Sequence, residues 1–219
     1  MAERKPPRRT RERILETSLA LFNREGAPRV TTADIADEMN ISPGNLYYHF
    51  RNKDEIIAEL YAAYQARVEP LLVSPGGRGV DVEDAWLLLH LLFERMWDYR
   101  FLYRDLDDLV SQDARLGARF GALLRKVQET IAGFCDGLVR AGTMRASTRE
   151  IAALATNAVL ISTYWMSYLR ATRLARDSRA DQPDFPRAAY QVLSLIAPYL
   201  EGDARALVER LGADYVAAP

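Results

Sequence analysis

Residues 31–50 read TTADIADEMNISPGNLYYHF and contain the signals that decide the fold. Thr31 is followed three residues later by Asp34, and a hydroxyl N-cap with a negative charge in the first turn is typical of a helix start. Ser42 can cap a second helix whose first position is Pro43, where the missing N–H is no loss. The stretch therefore predicts two short helices joined by a tight turn.

The two predicted helices, 31–39 and 42–49, lie between two longer ones. An apolar pattern with helical spacing predicts a first helix over about 10–25, and Gly26 is placed to end it in a left-handed conformation. A capping-box pattern that begins at Asn52 predicts a fourth helix. Two short helices behind a longer one form a helix-turn-helix, whose second helix enters the major groove of DNA.

The predicted recognition helix separates inward from outward side chains. Leu46 and Phe50 are four residues apart, so they share one side and can anchor the helix to its neighbours. Gly44 allows the backbone to approach a base edge. Asn45 can read a base through paired hydrogen bonds, although an exposed Asn in a first turn is equally compatible with no role. The outward residues are Ser42, Gly44, Asn45, Tyr47, Tyr48 and His49.

Other polar groups of this region suit the DNA backbone. Tyrosine hydroxyls, the N–H of His49 and the ammonium group of Lys53 can all donate hydrogen bonds to phosphate oxygens, and such contacts fix the register without reading the sequence. An exposed cluster of two tyrosines and a histidine on so short a helix has no evident packing role. We therefore expect Tyr47, Tyr48, His49 and Lys53 to contact phosphates.

Charge is distributed unevenly along the chain. The net charge is −1 over 219 residues, yet residues 1–53 hold ten Lys or Arg against seven Asp or Glu. This asymmetry suits binding to a polyanion, and a solvated tail would have the same composition. The basic start lacks the apolar segment of a secretory signal, and no apolar run approaches the ~18 residues that a membrane span needs. We therefore expect a cytoplasmic protein that does not cross a membrane.

The rest of the chain is predicted to be a helical body. Residues 70–80, PLLVSPGGRGV, hold two prolines and three glycines and predict a connector. We expect an all-α protein with a three-helix head, which contains the helix-turn-helix, and a larger helical body. The polar stretch RDSRADQPDFP predicts a loop. The predicted body helices are about 81–99, a short one in RDLDDLV, 113–141, 147–175, and two in RAAYQVLSLIAPYLE and DARALVERLG.

Two stripes of the body are rich in aromatic residues at helical spacing. Core packing is the ordinary explanation, but tryptophan and tyrosine carry polar atoms that need partners when they are buried. An aromatic pocket with a few polar groups also suits a small molecule. The candidates for such an effector site are Trp86, His90, Phe93 and Trp97 on the first stripe, and Asn157, Ile161, Tyr164, Trp165 and Tyr168 on the second.

An enzyme is not supported by the pattern of reactive residues. Neither of the two histidines, His49 and His90, stands at metal-ligand spacing from a Cys or a paired acid, so we expect no metal site and no cofactor. Asp105, Asp107 and Asp108 have the pattern of a solvated face. The single cysteine, in ETIAGFCDGLV, has a helical apolar spacing that predicts a buried small hydrophobe.

At residues 10–58 the sequence resembles the TetR family of bacterial transcriptional regulators, through RILETSLALFNREG and TTADIADEMNISPGNLYYHFRNKDEI. The resemblance implies a homodimer that binds a DNA operator with a head over residues 1–53 and a small-molecule effector with a body over residues 54–219. It further implies that Thr32 contacts phosphate, that Gly44 and Asn45 face bases, and that the basic arm before Thr10 reaches along DNA.

Two late segments, IAALATNAVLISTYW and AAYQVLSLIAPYL, are small or apolar around much of their helical circumference, so each must be buried on more than one side. A partner subunit could supply the second burial, and the family resemblance implies a four-helix dimer interface there.

A narrower resemblance joins ISPGNLYYHF with LLHLLFERMWDYRFLYRDLDDLV and is similar to the regulators of polyhydroxyalkanoate operons. It implies a fatty-acyl or acyl-CoA type effector. The function that we expect is that of a ligand-responsive repressor. The alternative is a helical protein-interaction module without sequence-specific DNA binding.

Overall fold

The computed structural model describes residues 7–73, 81–173 and 185–216, and all regular elements within these ranges are helical, as predicted. The α-helices are α1 (Pro7–Glu25), α2 (Thr32–Glu38), α3 (Pro43–His49), α4 (Lys53–Val68), α5 (Val82–Asp98), α6 (Phe101–Arg104), α7 (Leu106–Gln112), α8 (Ala114–Arg140), α9 (Thr148–Arg173), α10 (Phe185–Ile196) and α11 (Gly202–Val216). Short 3-10 turns, Glu69–Leu71 and Ala197–Tyr199, follow α4 and α10. The first residues of the basic arm, most of the predicted connector and most of the predicted loop after α9 lie outside the described residues.

The helix ends follow the local signals of the sequence. Gly26 has a φ of +106° directly after α1, which is the left-handed conformation that was predicted for it. The Thr31 hydroxyl accepts a hydrogen bond from the backbone N–H of Asp34 at 3.2 Å, and the Asp34 carboxylate accepts one from the N–H of Thr31 at 2.7 Å. These bonds form a complete capping box, and the pKa of Asp34 is lowered because its carboxylate accepts from both the N–H and the hydroxyl of Thr31. Ser42 caps α3 through the N–H of Asn45 at 3.2 Å.

The chain divides into two compact units. The first contains the described residues up to Ala66 together with Tyr99–Arg119, and the second contains Arg67–Asp98 and the described residues from Phe120 onward. The first unit therefore joins the helix-turn-helix to α6 and α7, which lie far along the sequence. Its core contains the fully buried side chains of Ile14, Phe22, Ile35, Leu46, Phe50, Ile56, Tyr61, Tyr64 and Phe101.

One prediction about the first unit is wrong. Asp107 and Asp108 are exposed, as expected, but Asp105 is only 8% exposed. Its carboxylate accepts a hydrogen bond from the N–H of Ala27 and pairs with the guanidinium of Arg104. A buried carboxylate needs such partners, because the loss of hydration would otherwise favour its neutral form.

In the second unit, α10 packs against α5, α9 and α11. The residues of α10 that are buried in this way are Ala188, Ala189, Val192, Leu193 and Ile196. The predicted capping box at the start of α9 is present: the hydroxyl and the N–H of Ser147 both donate to the Glu150 carboxylate at 2.7 Å, and these two bonds lower the pKa of that group. Cys135 is 1% exposed, as predicted, and burial raises the pKa of its thiol to about 11.

Within the described ranges, no helix combines the length and the apolar character that a membrane crossing requires.

Candidate DNA-binding surface and effector residues

Helix α3 has one buried and one open side. Leu46 is fully buried and Phe50 is 1% exposed, so both anchor the helix as predicted, and the guanidinium of Arg11 lies 4.8 Å from the centre of the Phe50 ring. Tyr47 is 51% exposed and Tyr48 is 79% exposed. The helix therefore fixes its position through apolar contacts while two large aromatic side chains face away from the core.

The open side of α3 carries hydrogen-bonding groups of several kinds. The Tyr47 hydroxyl lies 3.0 Å from the hydroxyl of Thr32 at the start of α2, which links the two short helices across their exposed side. The ring of Tyr48 meets the ring of His49 edge to face, with centroids 5.1 Å apart, and His49 is half-buried. Hydroxyl and imidazole groups held in this way suit hydrogen bonds to phosphate oxygens.

The first turn of α3 is open to a partner. Ser42, Gly44 and Asn45 are all exposed. A Cβ atom built on Gly44 would meet, within 4 Å, only the Ser42 hydroxyl oxygen at 3.9 Å, so no neighbour among the described residues requires a glycine at this position. Space for an approaching base edge is a reason for the missing side chain, as the sequence predicts.

Lys53 has a structural partner that the sequence did not indicate. Its ammonium group donates hydrogen bonds to the carbonyl oxygens of Ala27 at 2.8 Å and Val30 at 3.1 Å. Two of its three N–H donors are thus used by the α1–α2 turn, and at most one is left for a phosphate. The phosphate contact of Lys53 stays a prediction.

The first aromatic stripe lies across the border between the core and the surface of the second unit. Phe93 is 3% exposed, Trp86 and Trp97 are half-buried, and His90 is exposed. The rings of Trp86 and His90 stack with centroids 5.3 Å apart, and the Nε2 atom of His90 lies 3.6 Å from the Glu94 carboxylate. The stripe thus runs from the buried Phe93 through the half-buried Trp86 and Trp97 to the exposed His90 at its edge.

The second stripe is more exposed than the first. Tyr164 is 46% exposed, Tyr168 is 57% exposed, and Asn157 is exposed as well. Ile161 and Trp165 are half-buried. The indole nitrogen of Trp165 is buried without a hydrogen-bond partner in the part of the chain that the structure describes. A buried N–H group without a partner is costly, so an added acceptor at this position would be stabilising.

An exposed leucine extends the outer side of α9. Leu160 is 51% exposed, and it precedes Tyr164 and Tyr168 by four and eight residues, so the three side chains share one side of the helix. The sequence pattern placed the tyrosines with the half-buried residues, because spacing alone does not show which side a neighbouring helix covers. No group of three or more His, Cys, Asp or Glu among the described residues could hold a metal ion.

Comparison with known proteins gives the family of the chain. A family model described as bacterial regulatory proteins of the tetR family matches residues 14–60, and one described as a bacterial transcriptional repressor, TetR, matches residues 63–208. A probable acrEF/envCD operon repressor of Escherichia coli (strain K12) is 38% identical over 53 residues, which are 24% of this chain and 24% of that protein. The matched region therefore spans about a quarter of that relative.

Two solved structures extend the comparison to the whole chain. A TetR-family transcriptional regulator from Marinobacter aquaeolei VT8 has a TM-score of 0.84 and 35% identity, covering 94% of this chain and 98% of that one. A complex of SmeT with triclosan, from Stenotrophomonas maltophilia, has a TM-score of 0.61 and 19% identity, covering 89% and 93%, and it shows the fold alone. Because the repressor model matches about two thirds of the chain and the Marinobacter protein matches nearly all of it, the chain belongs to the TetR family of bacterial transcriptional regulators.

Proposed function

We propose that the protein binds a double-stranded DNA operator through α3 and represses transcription until a small apolar effector binds its body. The observation that carries the proposal is the two-sided α3, which buries Leu46 and leaves Tyr47 and Tyr48 exposed on a helix of 7 residues. Large exposed aromatic side chains on so short a helix are informative, because they are most readily explained by an external partner.

The contacts divide into two groups by chemistry. Hydrogen bonds to phosphate oxygens position the protein on DNA, and they come from Thr32, Tyr47, Tyr48 and His49. The third N–H of the Lys53 ammonium group adds a contact of the same kind. Ser42, Gly44 and Asn45 face base edges from the first turn of α3. DNA contacts come from residues 1–53 in this proposal, and effector and dimer contacts from residues 54–219.

The operator is bound by a homodimer in this proposal. Leu160, Tyr164 and Tyr168 form an apolar stripe on the outer side of α9, and a second copy of the chain would cover it. A twofold dimer presents two recognition helices, so it reads a pseudo-palindrome whose half-sites lie one helical turn, about 10 base pairs, or a multiple of it apart.

An acyl compound is the effector class that the second unit supports best. Phe93, Trp97 and Trp165 offer apolar surface that is partly or fully removed from water. The buried indole N–H of Trp165 would gain a partner from one acceptor oxygen of a bound molecule. A fatty-acyl group has an apolar chain, which suits the aromatic surface, and one carbonyl oxygen, which can accept the hydrogen bond from the indole N–H. SmeT, which shares the fold, is solved with triclosan, an apolar molecule.

Selection of genomic DNA fragments on the purified protein tests the operator proposal. We expect enrichment of one pseudo-palindromic sequence, and binding whose logarithm falls linearly with the logarithm of the salt concentration. Asn45→Ala should relax the preference at one or two base pairs, by about 1–3 kcal/mol each. Retention of fragments without any sequence preference would instead support a protein-interaction module.

The effector proposal is tested with a long-chain saturated fatty acid and its coenzyme A thioester. Either probe should release the selected DNA from the wild-type protein, and Trp165→Phe should need about tenfold more of it, since the variant keeps an aromatic ring and loses the N–H donor. An equal response of Trp165→Phe would remove the indole from the effector site. Native mass spectrometry that finds a co-purified compound of another class would contradict the acyl assignment.

A further inference from the structure

The junction of α6 and α7 is built into the end of α1, within the first unit. Asn23 and Phe22, near the end of α1, meet Phe101 and Arg104 across about 80 residues of sequence. The Asn23 side-chain oxygen accepts a hydrogen bond from the N–H of Phe101 at 3.1 Å. These contacts are hydrogen bonds that involve backbone groups and a charged guanidinium. They therefore fix the orientation of the junction relative to α1 more narrowly than apolar packing does.

Arg104 adds hydrogen-bond donors at the C-terminus of α1, where the carbonyl oxygen of Phe22 also accepts from the N–H of Gly26 at 2.9 Å. Its guanidinium donates to the carbonyl oxygen of Asn23 at 3.0 Å and also to that of Phe22. The last carbonyls of a helix lack partners within the helix and form the negative end of its dipole, so a cation there is doubly favourable. Because the guanidinium is planar and has several N–H groups, it can hold two carbonyls and a carboxylate at once.

Asp105 continues the contact into the α1–α2 turn. One carboxylate oxygen accepts a hydrogen bond from the N–H of Ala27 at 2.8 Å, and the two oxygens face Nε and Nη2 of Arg104 at 3.0 and 3.2 Å. The Asp105 side chain is only 7% exposed. Both of its oxygens therefore act as acceptors, and the pair neutralises its own charge inside the protein.

The same turn is held from its other side by α4. Lys53 donates to the carbonyl oxygen of Ala27 and to that of Val30, directly before the N-cap Thr31 of α2. The peptide groups on both sides of Ala27 are thus bonded, one to the α6–α7 junction and the other to α4. Helix α2 packs against both α1 and α3, so the position of this turn determines where α2 and α3 lie.

We propose that Arg104 and Asp105 are positioning residues for DNA recognition, which act through the α1–α2 turn on α2 and α3. They touch no DNA themselves. The proposal rests on the proposed operator binding, and it assigns to two residues of the α6–α7 junction a role in operator affinity. Without the pair, the exposed side chains of α3 are the same, but the position of α3 within the first unit changes.

Asp105→Asn is the first test, with Asp107→Asn as the matched control. An amide has one acceptor oxygen and one N–H₂ group, so in Asp105→Asn one N–H group of Arg104 meets a donor in either amide orientation, and in one of the two orientations Ala27 does as well. Asp107 is exposed on the same short segment, and its replacement changes the net charge by the same amount. Operator affinity and its salt dependence are measured at a temperature where circular dichroism shows each variant to be folded.

Asp105→Asn should weaken operator binding by about tenfold or more, while the slope of log affinity against log salt stays that of the wild type, because no phosphate contact is lost. Asp107→Asn should bind as the wild type does. Wild-type affinity in folded Asp105→Asn would overturn the proposal, as would an equal loss in Asp107→Asn. A lower melting temperature alone would indicate a merely structural role and would count against it.

Two further measurements keep the proposal testable. If Asp105→Asn does not fold, Arg104→Lys replaces it, since lysine keeps the charge and loses the planar fork, and the same tenfold criterion applies. If the wild type shows no selective DNA binding, the operator proposal fails by itself, and hydrogen exchange decides the positioning role. Faster exchange over residues 26–49 in Asp105→Asn, without a change in Asp107→Asn, supports it, and unchanged exchange there overturns it.

Discussion

Replacing Tyr48 by Phe tests how the recognition helix holds DNA. The substitution removes one hydroxyl and leaves the ring in place. Tyr48 is 79% exposed, so we expect the free energy of unfolding to change by no more than about 0.5 kcal/mol. Any change in DNA binding then reports the lost hydroxyl rather than an altered fold.

The size of the effect follows from the charge of the acceptor. A hydrogen bond to a charged group contributes about 1.5–3 kcal/mol. Since each 1.4 kcal/mol is a factor of ten in affinity, one lost contact should weaken binding by about ten- to a hundredfold. In a dimer both copies lose the contact, so the loss in free energy doubles. Because tyrosine carries no charge, the salt dependence should keep its slope.

Fluorescence anisotropy with labelled DNA over a series of salt concentrations measures both quantities. The operator fragment and an unrelated fragment should lose affinity by the same factor, since phosphate contacts carry no sequence information. Tyr199→Phe, a half-buried tyrosine of the second unit, provides the control and should bind like the wild type. A loss confined to the operator fragment would show that Tyr48 reads bases and would refute the phosphate role.

Three further changes have defined outcomes. Gly44→Ala should keep or raise the melting temperature, by the equivalent of up to about 1 kcal/mol, and should lower operator affinity; unchanged affinity would remove Gly44 from the base-facing set. Burial raises the pKa of Tyr64 and of Tyr103, whose hydroxyls lie 2.5 Å apart, so both keep their protons where an unfolded tyrosine ionises. The free energy of unfolding should therefore fall as the pH rises above about 10, by up to about 1.4 kcal/mol per pH unit for each tyrosine, and the double variant with Phe at both positions should show a flatter profile in denaturant titrations. The Cys135 thiol, with its pKa raised to about 11, should react with a thiol reagent at mildly alkaline pH only after denaturant is added, and rapid reaction of the native protein would contradict its burial.

Much of the first unit could be predicted because its signals are local. The N-caps Thr31 and Ser42, and the left-handed Gly26, depend on residues within one helical turn, and the structure has all three as expected. The inward and outward sides of α3 follow from a four-residue spacing on a short helix. Helix α1 begins at Pro7, three residues before the predicted start, because fraying ends carry weaker signals than caps do.

The candidate effector residues were harder to sort. Spacing correctly groups residues along one side of α5 or α9, but it does not show which of these residues a neighbouring helix buries. Trp165 is half-buried with its indole nitrogen out of contact with water, while Tyr164 and Tyr168 on the same helix stay about half exposed. Likewise, the apolar circumference of α10 predicted burial on more than one side without showing that α5, α9 and α11 pack against it, and the contact with a partner subunit stays a prediction.

The sequence by itself determined the helical class, the caps of α2 and α3 and the buried and open sides of α3, because each depends on residues that are close along the chain. Only the tertiary structure decided the roles of Asp105 and Lys53. Asp105 belongs to an acidic segment whose pattern predicts a solvated face, and Lys53 occupies a position where a phosphate contact is expected. The partners of both, around Ala27, lie 78 and 26 residues away. A charged side chain is drawn out of water only by the donors or acceptors that face it, and those are brought together by folding.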